Sequence, residues 1–283
     1  MSEILQAKPL ADHIKSNVAA AVRGYLERGI QPRLAVVSAS GDAASVSYVQ
    51  SKQKVAASLG IVLDVCELSA ETTQEILEKT VADLSANPDV HGVLLELPLA
   101  PGLDAEAALS LINPLKDIDG LTPANLGSAA AGWEDKAILA ATPQACIELA
   151  ETFIKLDGLQ VGVVGRGRTV GRPLVSLLIN RHATVTVCHT HTPDITEALR
   201  PCSVVFVAVG QPGAIRGENL QVGQTVIDAG INYVGDNLVG DVDFTSANEK
   251  VAALSPVPGG VGMLTSAIVF RNLMRAMELQ GLA

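Results

Sequence analysis

Residues Leu159–His191 read LQVGVVGRGRTVGRPLVSLLINRHATVTVCHTH and contain the most informative pattern of the chain. An apolar run at Val161–Val164 leads into a cluster of glycines, followed by a helical pattern at Pro173–Ile179 and a second strand-like run at Thr184–Cys188. A strand, a glycine turn, a helix and a strand in this order are typical of half a dinucleotide-binding fold. The glycines let the backbone approach a phosphate, and the start of the helix directs N–H groups at the same place.

The spacing of Gly165, Gly167 and Gly171 is G-x-G-x-x-x-G, one residue longer than the usual dinucleotide fingerprint. Glycines at such a place also fit an ordinary turn from a strand to a helix. The strand and the helix that flank this cluster favour nucleotide binding over that simpler alternative.

The residues after the second strand favour NADP over NAD. NAD enzymes usually carry Asp or Glu there to bond the ribose hydroxyls, whereas Cys188 is followed by His189–Thr192 without an acid. Arg166 and Arg168 lie in the glycine turn, and an arginine fork suits a phosphate dianion. The alternative is that both arginines contact only the pyrophosphate or solvent.

Length, charge and cysteine content restrict the class of protein. The chain has 283 residues, of which 48% are hydrophobic and 18% charged, so we expect one or two domains with a large buried core. The net charge of −10 argues against nucleic acid or an anionic membrane as a partner. The four cysteines form no C-x-x-C pair, no histidine spacing indicates a metal site, and the N-terminus lacks a signal-peptide core. These features predict reduced thiols and a cytoplasmic location.

Helix and strand patterns alternate along the chain, which predicts an α/β fold with parallel sheets and helices on both faces. The segment 114–141 breaks this alternation with prolines and glycines, so we interpret it as a connection between two α/β domains. The expected domains are 1–140, completed by a C-terminal helix at 264–283, and a Rossmann-like domain at 141–263. Ser69 and Thr142 are the predicted starts of two helices.

The predicted helices are Pro9–Leu26, Ala44–Leu59, Glu71–Leu84, Asp104–Ile112, Pro143–Phe153, Pro173–Ile179 and Leu264–Leu279. The predicted strands are Arg33–Ala39, Val62–Leu68, Gly92–Leu95, Val161–Val164, Thr184–Cys188, Val204–Val209 and Thr225–Asp228. Between the last predicted strand and Gly262 we expect mostly loops.

Two clusters in the first half carry groups that could act chemically. Tyr48 and Lys52 are four residues apart on one helix and therefore share a face, where the lysine could act as an acid or a base. The alternative is a solvated lysine beside a packed tyrosine. Glu96 ends an apolar strand at its carboxyl end, where open parallel sheets place ligand sites.

Two loops are also candidates. Asp117 and Asp119 lie in the turn P-L-K-D-I-D-G, where acids are often only solvated or capping residues. The C-terminal loop Pro256–Gly262, PVPGGVG, combines prolines that restrict the backbone with glycines that permit close approach to a flat ligand.

Taken together, these motifs resemble the bifunctional methylenetetrahydrofolate dehydrogenase/cyclohydrolase family, nearly from end to end. The resemblance rests on SYVQSKQK, GVLLELPL, PLKDIDG, VVGRGRTVGRP, ATVTVCHTHT, VIDAGIN, GDVDF and PVPGGVGMLT. It implies two α/β domains flanking a cleft, with a tetrahydrofolate derivative on one side and NADP on the other, and it implies a homodimer.

The resemblance also implies roles for individual residues. Lys52 is the implied catalytic lysine, Tyr48 helps to place the folate ring, and Asp119 binds the pterin. Further implied substrate contacts are Leu97, Pro98, Pro258, Gly259 and Gly260. Implied cofactor contacts are Gly165, Arg166, Gly167, Thr169, Val170, Gly171, His189, Thr190 and Ile231.

The chain departs from the family pattern at several positions. Glu96 stands where Gln is usual, Gly167 where Ser is usual, and Ala141 and Ala145 where Cys and Gly are usual; Met263–Leu264 replaces Pro-Met. Glu96 is the departure that touches chemistry. It leaves open a dehydrogenase with weak or lost cyclohydrolase activity, and the most distant alternative is a non-catalytic nucleotide-binding protein.

The expected mechanism has two steps. Hydride leaves the bridging methylene carbon for NADP, driven by the lone pair of a folate nitrogen, and this step requires alignment rather than a protein base. Water then adds to the methenyl cation and the ring opens, with Lys52 assisting the proton transfers. We expect Lys52 and Glu96 to lie close enough to interact and favour an ionised pair over a protonated Glu96 that donates a hydrogen bond.

Overall fold

The computed structural model describes residues 2–40, 43–69, 71–235 and 237–282, and for residues 43–48 it describes the backbone alone. The strands are β1 (Glu3–Ile4), β2 (Arg33–Ser38), β3 (Val62–Glu67), β4 (Gly92–Leu95), β5 (Gln160–Val164), β6 (Thr184–Cys188), β7 (Val204–Val207), β8 (Thr225–Asp228), β9 (Asn232–Val234), β10 (Asn237–Val239) and β11 (Ala253–Leu254). The helices are α1 (Lys8–Glu27), α2 (Ala43–Leu59), α3 (Gln74–Ala86), α4 (Ala105–Ser110), α5 (Pro123–Ala130), α6 (Ala141–Glu151), α7 (Gly171–Asn180), α8 (Ile195–Leu199), α9 (Phe244–Asn248) and α10 (Val261–Leu279).

The chain divides into two compact units. One unit contains residues 13–128, 133–139 and 269–283, and we call it the smaller-sheet unit. The other contains residues 1–12, 129–132 and 140–268, and we call it the larger-sheet unit.

The smaller-sheet unit is built on the parallel strands β3, β2 and β4, in that order. The central strand β2 is almost entirely buried, and the residues of β4 are buried as well. A strand of a parallel sheet that is covered on both faces reads as a continuous apolar run. This explains why LAVV in β2 and GVLL in β4 lack the alternation of a half-exposed strand.

The larger-sheet unit contains a parallel sheet in the order β1, β11, β8, β7, β5, β6. The inner strands β7 and β8 are fully buried, whereas β6 at one edge is partly exposed. The predicted α/β class with parallel sheets is confirmed. After β5 the chain forms β6 on one side of β5 and then crosses to form β7 on the other side. The strand order therefore reverses at the carboxyl end of β5.

Helix starts differ from two predictions. Thr73, not Ser69, caps α3, and its hydroxyl accepts a hydrogen bond from the N–H of Ile76 at 3.3 Å. Helix α6 begins at Ala141 without a side-chain cap, so Thr142 lies inside its first turn. Pro143 is tolerated there because the first N–H groups of a helix have no partner within the helix.

Two segments that were predicted to be irregular contain regular structure. The segment 114–141 carries α5 and a single 3-10 turn at Glu134–Lys136. The chain between β8 and α10 forms the antiparallel hairpin β9–β10, helix α9 and strand β11. Except for α5, these elements have only two to five residues, which is too short to show a hydrophobic period. The eight residues of α5, PANLGSAA, contain a proline and a glycine and a single large apolar residue, so the sequence pattern did not reveal this helix either. No helix among the described residues is long and apolar enough to cross a membrane.

Candidate functional site

Lys52 and Glu96 form an ion pair in the smaller-sheet unit. Lys52 projects from α2, and Glu96 directly follows β4. The Nζ of Lys52 donates to both carboxylate oxygens, at 2.8 Å and 2.7 Å, and the two side chains are only 14% and 12% exposed. A chelated ammonium is the arrangement expected of an ionised pair rather than of a protonated acid that donates a hydrogen bond. The structure therefore brings together two residues that lie 44 positions apart in the chain, as expected.

Asp119 lies in the electrostatic field of this pair. Burial raises the pKa of Asp119 to about 7, the charges of Asp117 and Glu96 add to the rise, and the charge of Lys52 opposes it. An acid with such a pKa exchanges its proton near neutral pH, which is unusual for aspartate and is frequent at functional sites.

Asp117, the other acid of this turn, holds the backbone of the loop. Its carboxylate accepts hydrogen bonds from the N–H of Gly120 at 2.9 Å, the N–H of Thr122 at 2.7 Å and the side-chain amide of Asn125 at 3.0 Å. Asp117 is 1% exposed. The two acids of K-D-I-D-G therefore differ: Asp117 is the capping residue that the simpler interpretation described, and Asp119 remains the candidate for chemistry.

Asn272 is a second support of the same loop, and it was not among the predicted site residues. Its buried amide donates to the carbonyl oxygens of Ile118 at 2.8 Å and Leu139 at 3.0 Å. Ile118 precedes Asp119, so the amide restrains the backbone that presents this acid. The signal that could have found it was a single amide within the apolar C-terminal helix α10, where a buried polar group requires partners.

The remaining predicted substrate contacts are divided between the units. Leu97 and Pro98 directly follow Glu96 in the smaller-sheet unit, and their peptide bond is cis. Pro258, Gly259 and Gly260 belong to the larger-sheet unit, where the Val257–Pro258 bond is also cis. The carbonyl oxygen of Gly259 accepts a hydrogen bond from Ala7, which precedes α1. The backbone of Tyr48 lies in α2, one turn before Lys52, and its side chain falls outside the described residues.

The turn after β5 depends on two of its three glycines. Gly165 has a φ of +109°, and a Cβ there would lie 2.0 Å from the carbonyl oxygen of Ala208. A Cβ on Gly171 would lie 2.3 Å from the carbonyl oxygen of Gly165. Gly167 has nothing within 4 Å of its Cβ position. Gly165 and Gly171 are therefore required by close backbone approach, whereas Gly167 faces open space.

Polar side chains surround this turn. Arg166, Thr169 and Thr190 are exposed, and His189 is half-buried at the end of β6. The N–H of Gly165 donates to the carbonyl of Cys188 at 2.9 Å, which brings the turn beside the end of β6. Of the other predicted cofactor contacts, Val170 precedes α7 and is half-buried, and Ile231 follows β8 and is 46% exposed.

The first acid after β6 is Asp194, and it caps a helix. Its carboxylate accepts from the N–H of Glu197 at 3.0 Å, at the start of α8. An aspartate engaged in this way is not placed as the acid that bonds ribose hydroxyls at the end of the strand.

Two buried acids of the larger-sheet unit were not among the predicted site residues. Asp228 ends β8 and accepts from the N–H groups of Gly230, Asp241 and Val242 at 2.8, 3.0 and 2.9 Å. Burial raises the pKa of Asp228 to about 6, although these hydrogen bonds lower it. Asp241 is likewise buried. The motifs VIDAGIN and GDVDF contain these acids, so their signal was an acid between small and apolar residues.

A parallel sheet with a glycine turn at the reversal of strand order, together with a separate α/β unit that carries a paired lysine, defines a two-domain nucleotide-dependent enzyme. Family models assign the chain more closely. The catalytic domain of tetrahydrofolate dehydrogenase/cyclohydrolase matches residues 5–119, and its NAD(P)-binding domain matches residues 140–281. The chain belongs to this family.

Individual relatives extend over the whole chain. Bifunctional protein FolD of Deinococcus radiodurans is 48% identical over 281 residues, covering 98% of this chain and 93% of the relative. The FolD of Heliobacterium modesticaldum is 43% identical and covers 99% of this chain and 98% of the relative.

Solved structures agree with these relatives. The methylenetetrahydrofolate dehydrogenase-cyclohydrolase of Trypanosoma brucei, complexed with NADP cofactor and inhibitor, superimposes with a TM-score of 0.94 at 36% identity, covering 100% of this chain and 99% of the other. The FolD enzyme of Campylobacter jejuni also gives a TM-score of 0.94, at 33% identity, with coverage of 99% and 100%.

Proposed function

We propose that Lys52, Glu96 and Asp119 act on the folate substrate and that the Gly165–Gly171 turn holds the diphosphate of NADP. The chain is a bifunctional enzyme of one-carbon metabolism that oxidises methylenetetrahydrofolate with NADP and hydrolyses methenyltetrahydrofolate to 10-formyltetrahydrofolate. The Lys52–Glu96 ion pair carries the assignment of residues, because it supplies a proton-bearing group in a mostly buried place beside Asp119.

The glycine turn fits a dinucleotide. Gly165 and Gly171 bring backbone within distances that any Cβ would block, and no side chain caps α7 at Val170. The start of a helix of ten residues can therefore direct N–H groups and its positive end at a phosphate. When bound, NADP supplies the acceptor for hydride; the residues of the turn bind and orient it.

The preference for NADP over NAD rests on Arg166 and Asp194. Arg166 is exposed in the turn, where its guanidinium can bind a phosphate dianion, and Asp194 is engaged as a helix cap. We expect Arg166→Ala to raise the KM for NADP much more than the KM for NAD. Arg28→Ala, which removes an exposed arginine just after α1, is the control. Equal efficiency of the unmodified enzyme with both cofactors contradicts this assignment.

Asp119 is suited to the pterin ring. An ionised carboxylate can accept two parallel hydrogen bonds, from an amino group and from the neighbouring ring N–H. Asn272 holds the carbonyl of Ile118 and Asp117 holds the N–H of Gly120, so the backbone is restrained on both sides of Asp119. Leu97, Pro98, Pro258, Gly259 and Gly260 are proposed to contact the folate as well.

The hydrolytic step requires proton transfers, and we propose that Lys52 assists them. Both carboxylate oxygens of Glu96 accept hydrogen bonds from the Nζ of Lys52, and a nitrogen held in this way is less available to take a proton from the attacking water. The oxidation step requires no protein base. We therefore propose that the cyclohydrolase reaction of this chain is slow relative to its dehydrogenase reaction, in contrast to a family member with an amide at this position.

One absorbance trace tests both activities. Methylenetetrahydrofolate and NADP are mixed with the enzyme, and the formation and decay of the methenyl product are followed together. We expect methenyl product to accumulate before it decays. Decay that keeps pace with formation contradicts the slow hydrolysis, and absence of both phases contradicts the whole assignment.

The hairpin β9–β10 supports a homodimer. Tyr233 and Val234 are 52% and 53% exposed on the hairpin, an unusual position for large apolar side chains. Val239 of the same hairpin lines a cavity of about 360 Å³ together with Phe244 and Val257. A second copy that covers this apolar surface would remove it from water.

The dimer is tested by sedimentation. We expect Tyr233→Lys to shift the protein towards monomer, because a charge on a covered surface is costly. Val222→Lys changes a side chain that is 82% exposed elsewhere in the same unit and serves as the control. A monomeric unmodified protein contradicts the proposal. We also propose a cytoplasmic location, which the four free cysteines support.

A further inference from the structure

We propose that Asp241 is a positioning residue for the cofactor: its buried carboxylate holds the loop beside the glycine turn, and the loop that follows β8, in the conformation that binds NADP. The inference rests on the proposed function, because it takes the turn after β5 as the place where NADP binds. It concerns a residue that touches neither substrate nor cofactor.

Asp241 fixes the loop that follows β7. Its Oδ2 accepts from the N–H groups of Val209 at 2.7 Å and Gly210 at 2.9 Å, and its Oδ1 accepts from the N–H of Gln211 at 2.9 Å. Three consecutive backbone donors thus converge on one carboxylate. Such convergence restrains the conformation of the loop, because an altered backbone would give up three hydrogen bonds to a charged acceptor.

The same carboxylate reaches the end of the loop that follows β8, where β9 begins. Oδ1 of Asp241 accepts from the side-chain amide of Asn232 at 2.9 Å. Asn232 adjoins Ile231, a proposed contact of NADP that is 46% exposed. A Cβ on Gly230 would lie 2.3 Å from the carboxyl carbon of Asp241, so the glycine is what permits this approach. One side chain therefore ties two loops together.

The loop after β7 borders the glycine turn. The Cβ position of Gly165 lies 2.0 Å from the carbonyl oxygen of Ala208 and 3.4 Å from a methyl group of Val209. A displacement of Ala208 and Val209 would change the space that the turn occupies. Because the carboxylate of Asp241 accepts a hydrogen bond from Val209, it helps to fix the position of this loop beside the turn.

Asp241 acts through these loops and not by contact. Its relative exposure is 0%, so no part of it is accessible to a bound nucleotide. Its own backbone is held by Asp228, whose Oδ1 accepts the N–H of Asp241 at 3.0 Å. The strand end, the acid and both loops form one connected hydrogen-bonded assembly.

The test is Asp241→Asn, with both half-reactions measured. An amide retains one acceptor oxygen and turns an NH₂ group towards backbone donors, so it cannot hold both sets of contacts. We expect the KM for NADP to rise about tenfold to a hundredfold, as for a misplaced binding group, with a smaller change in kcat. Hydrolysis of methenyltetrahydrofolate uses no NADP and should keep its rate.

Asp243→Asn is the matched control, because it makes the same chemical change two residues away. Asp243 caps α9 by accepting from the N–H of Ser246 at 3.2 Å, and asparagine caps helices equally well. We expect neither half-reaction to change in this variant. A KM for NADP that rises as much in Asp243→Asn as in Asp241→Asn overturns the proposal.

Other outcomes also test the proposal that Asp241 positions the loops. Unchanged NADP affinity in Asp241→Asn, or a parallel fall of both activities, shows that the acid does not position the loops for NADP. If Asp241→Asn does not fold, the proposal is tested with Asn232→Ala, which removes only the contact between Asn232 and Asp241. A raised KM for NADP with normal hydrolysis then supports the proposal, and an unchanged KM overturns it. Calorimetry of NADP binding to the unmodified protein distinguishes failure of this proposal from failure of the proposed function, because absence of binding there contradicts the proposed function itself.

Discussion

The two units form their candidate sites from different kinds of chemical group. In the smaller-sheet unit the site consists of ionisable side chains, namely Lys52, Glu96 and Asp119, whose charges influence one another. In the larger-sheet unit the site consists mainly of backbone, shaped by Gly165 and Gly171. Changes in the first unit should therefore act through charge and pH, and changes in the second should act through shape.

Each unit nevertheless uses a buried aspartate to hold its loop. Asp117 accepts backbone N–H groups beneath Asp119, and Asp241 accepts those of the loop beside Gly165. Both acids expose 1% or less of their surface. The difference between the sites thus lies in what the loops present, a carboxylate in one unit and bare backbone in the other.

The largest effect is expected from Gly165→Ala. The added methyl would meet the carbonyl of Ala208 at 2.0 Å, and the φ of +109° disfavours any side chain. We expect the dehydrogenase activity to fall by about a hundredfold or more, with cyclohydrolase activity retained, as measured by separate assays. Gly127→Ala, at an open position of helix α5, should alter neither activity. Loss of both activities together would contradict the separation of the two sites.

Asp119→Asn should weaken folate binding and at the same time stabilise the folded protein at high pH. Asparagine offers one acceptor and a competing donor, so the KM for folate should rise by about a hundredfold in both half-reactions. The pKa of Asp119 is raised from 3.8 to about 7 in the folded protein, so its burial weakens folding increasingly as pH rises through this window. Asp119→Asn should therefore raise Tm at pH 8 more than at pH 4.

The control for this variant is Asp135→Asn, which changes an exposed acid of the same unit. Near-normal folate affinity in Asp119→Asn would show that the acid is a turn residue only. A Tm difference that does not depend on pH would show that Asp119 is not the group whose ionisation is costly.

Glu96→Gln should have an intermediate effect. The amide removes the negative charge and one of the two oxygens that accept from Nζ, so Lys52 becomes more available for proton transfer. We expect the ratio of cyclohydrolase to dehydrogenase activity to rise severalfold. Glu67→Gln changes an exposed acid of β3 as the control. An unchanged ratio would mean that Glu96 does not control Lys52.

Gly167→Ser should have the smallest effect, and it tests how much shape the turn requires. The Cβ position of Gly167 is open and its φ is not positive, so the backbone-built site tolerates a side chain here. One additional hydrogen bond from the hydroxyl would lower the KM for NADP by about twofold to tenfold. Gly127→Ser is the control, and a raised KM in Gly167→Ser would show that the turn is not open when NADP binds.

Local patterns predicted the long elements and failed at the short ones. The strands Gly92–Leu95 and Thr225–Asp228 were predicted to the residue and are buried along their whole length. Thr184–Cys188 was also predicted to the residue, because its alternation TVTVC is typical of a partly exposed edge strand. The hairpin β9–β10 and strand β11 were missed, since two or three residues show no period and owe their conformation to the strands beside them.

The candidate site shows the same division. Lys52, Glu96 and Asp119 were predicted as individual candidates, because each interrupts or follows an apolar pattern in a motif of the family. Asn272 and Asp241 were missed. Their polar atoms act by meeting backbone groups 30 to 154 positions away, and no local pattern reports such a partner.

The order of residues along the chain was sufficient to predict the α/β class, the glycine turn and the family, because periodicity and motif order are properties of consecutive residues. Folding in three dimensions was needed to show that Gly165 and Gly171 are required while Gly167 is open, and that Asp117 supports the loop on which Asp119 is presented. It was also needed to show that Glu96 chelates Lys52. The physical reason is that burial, hydrogen bonding and charge interaction depend on distances between remote parts of the chain, and folding alone sets those distances.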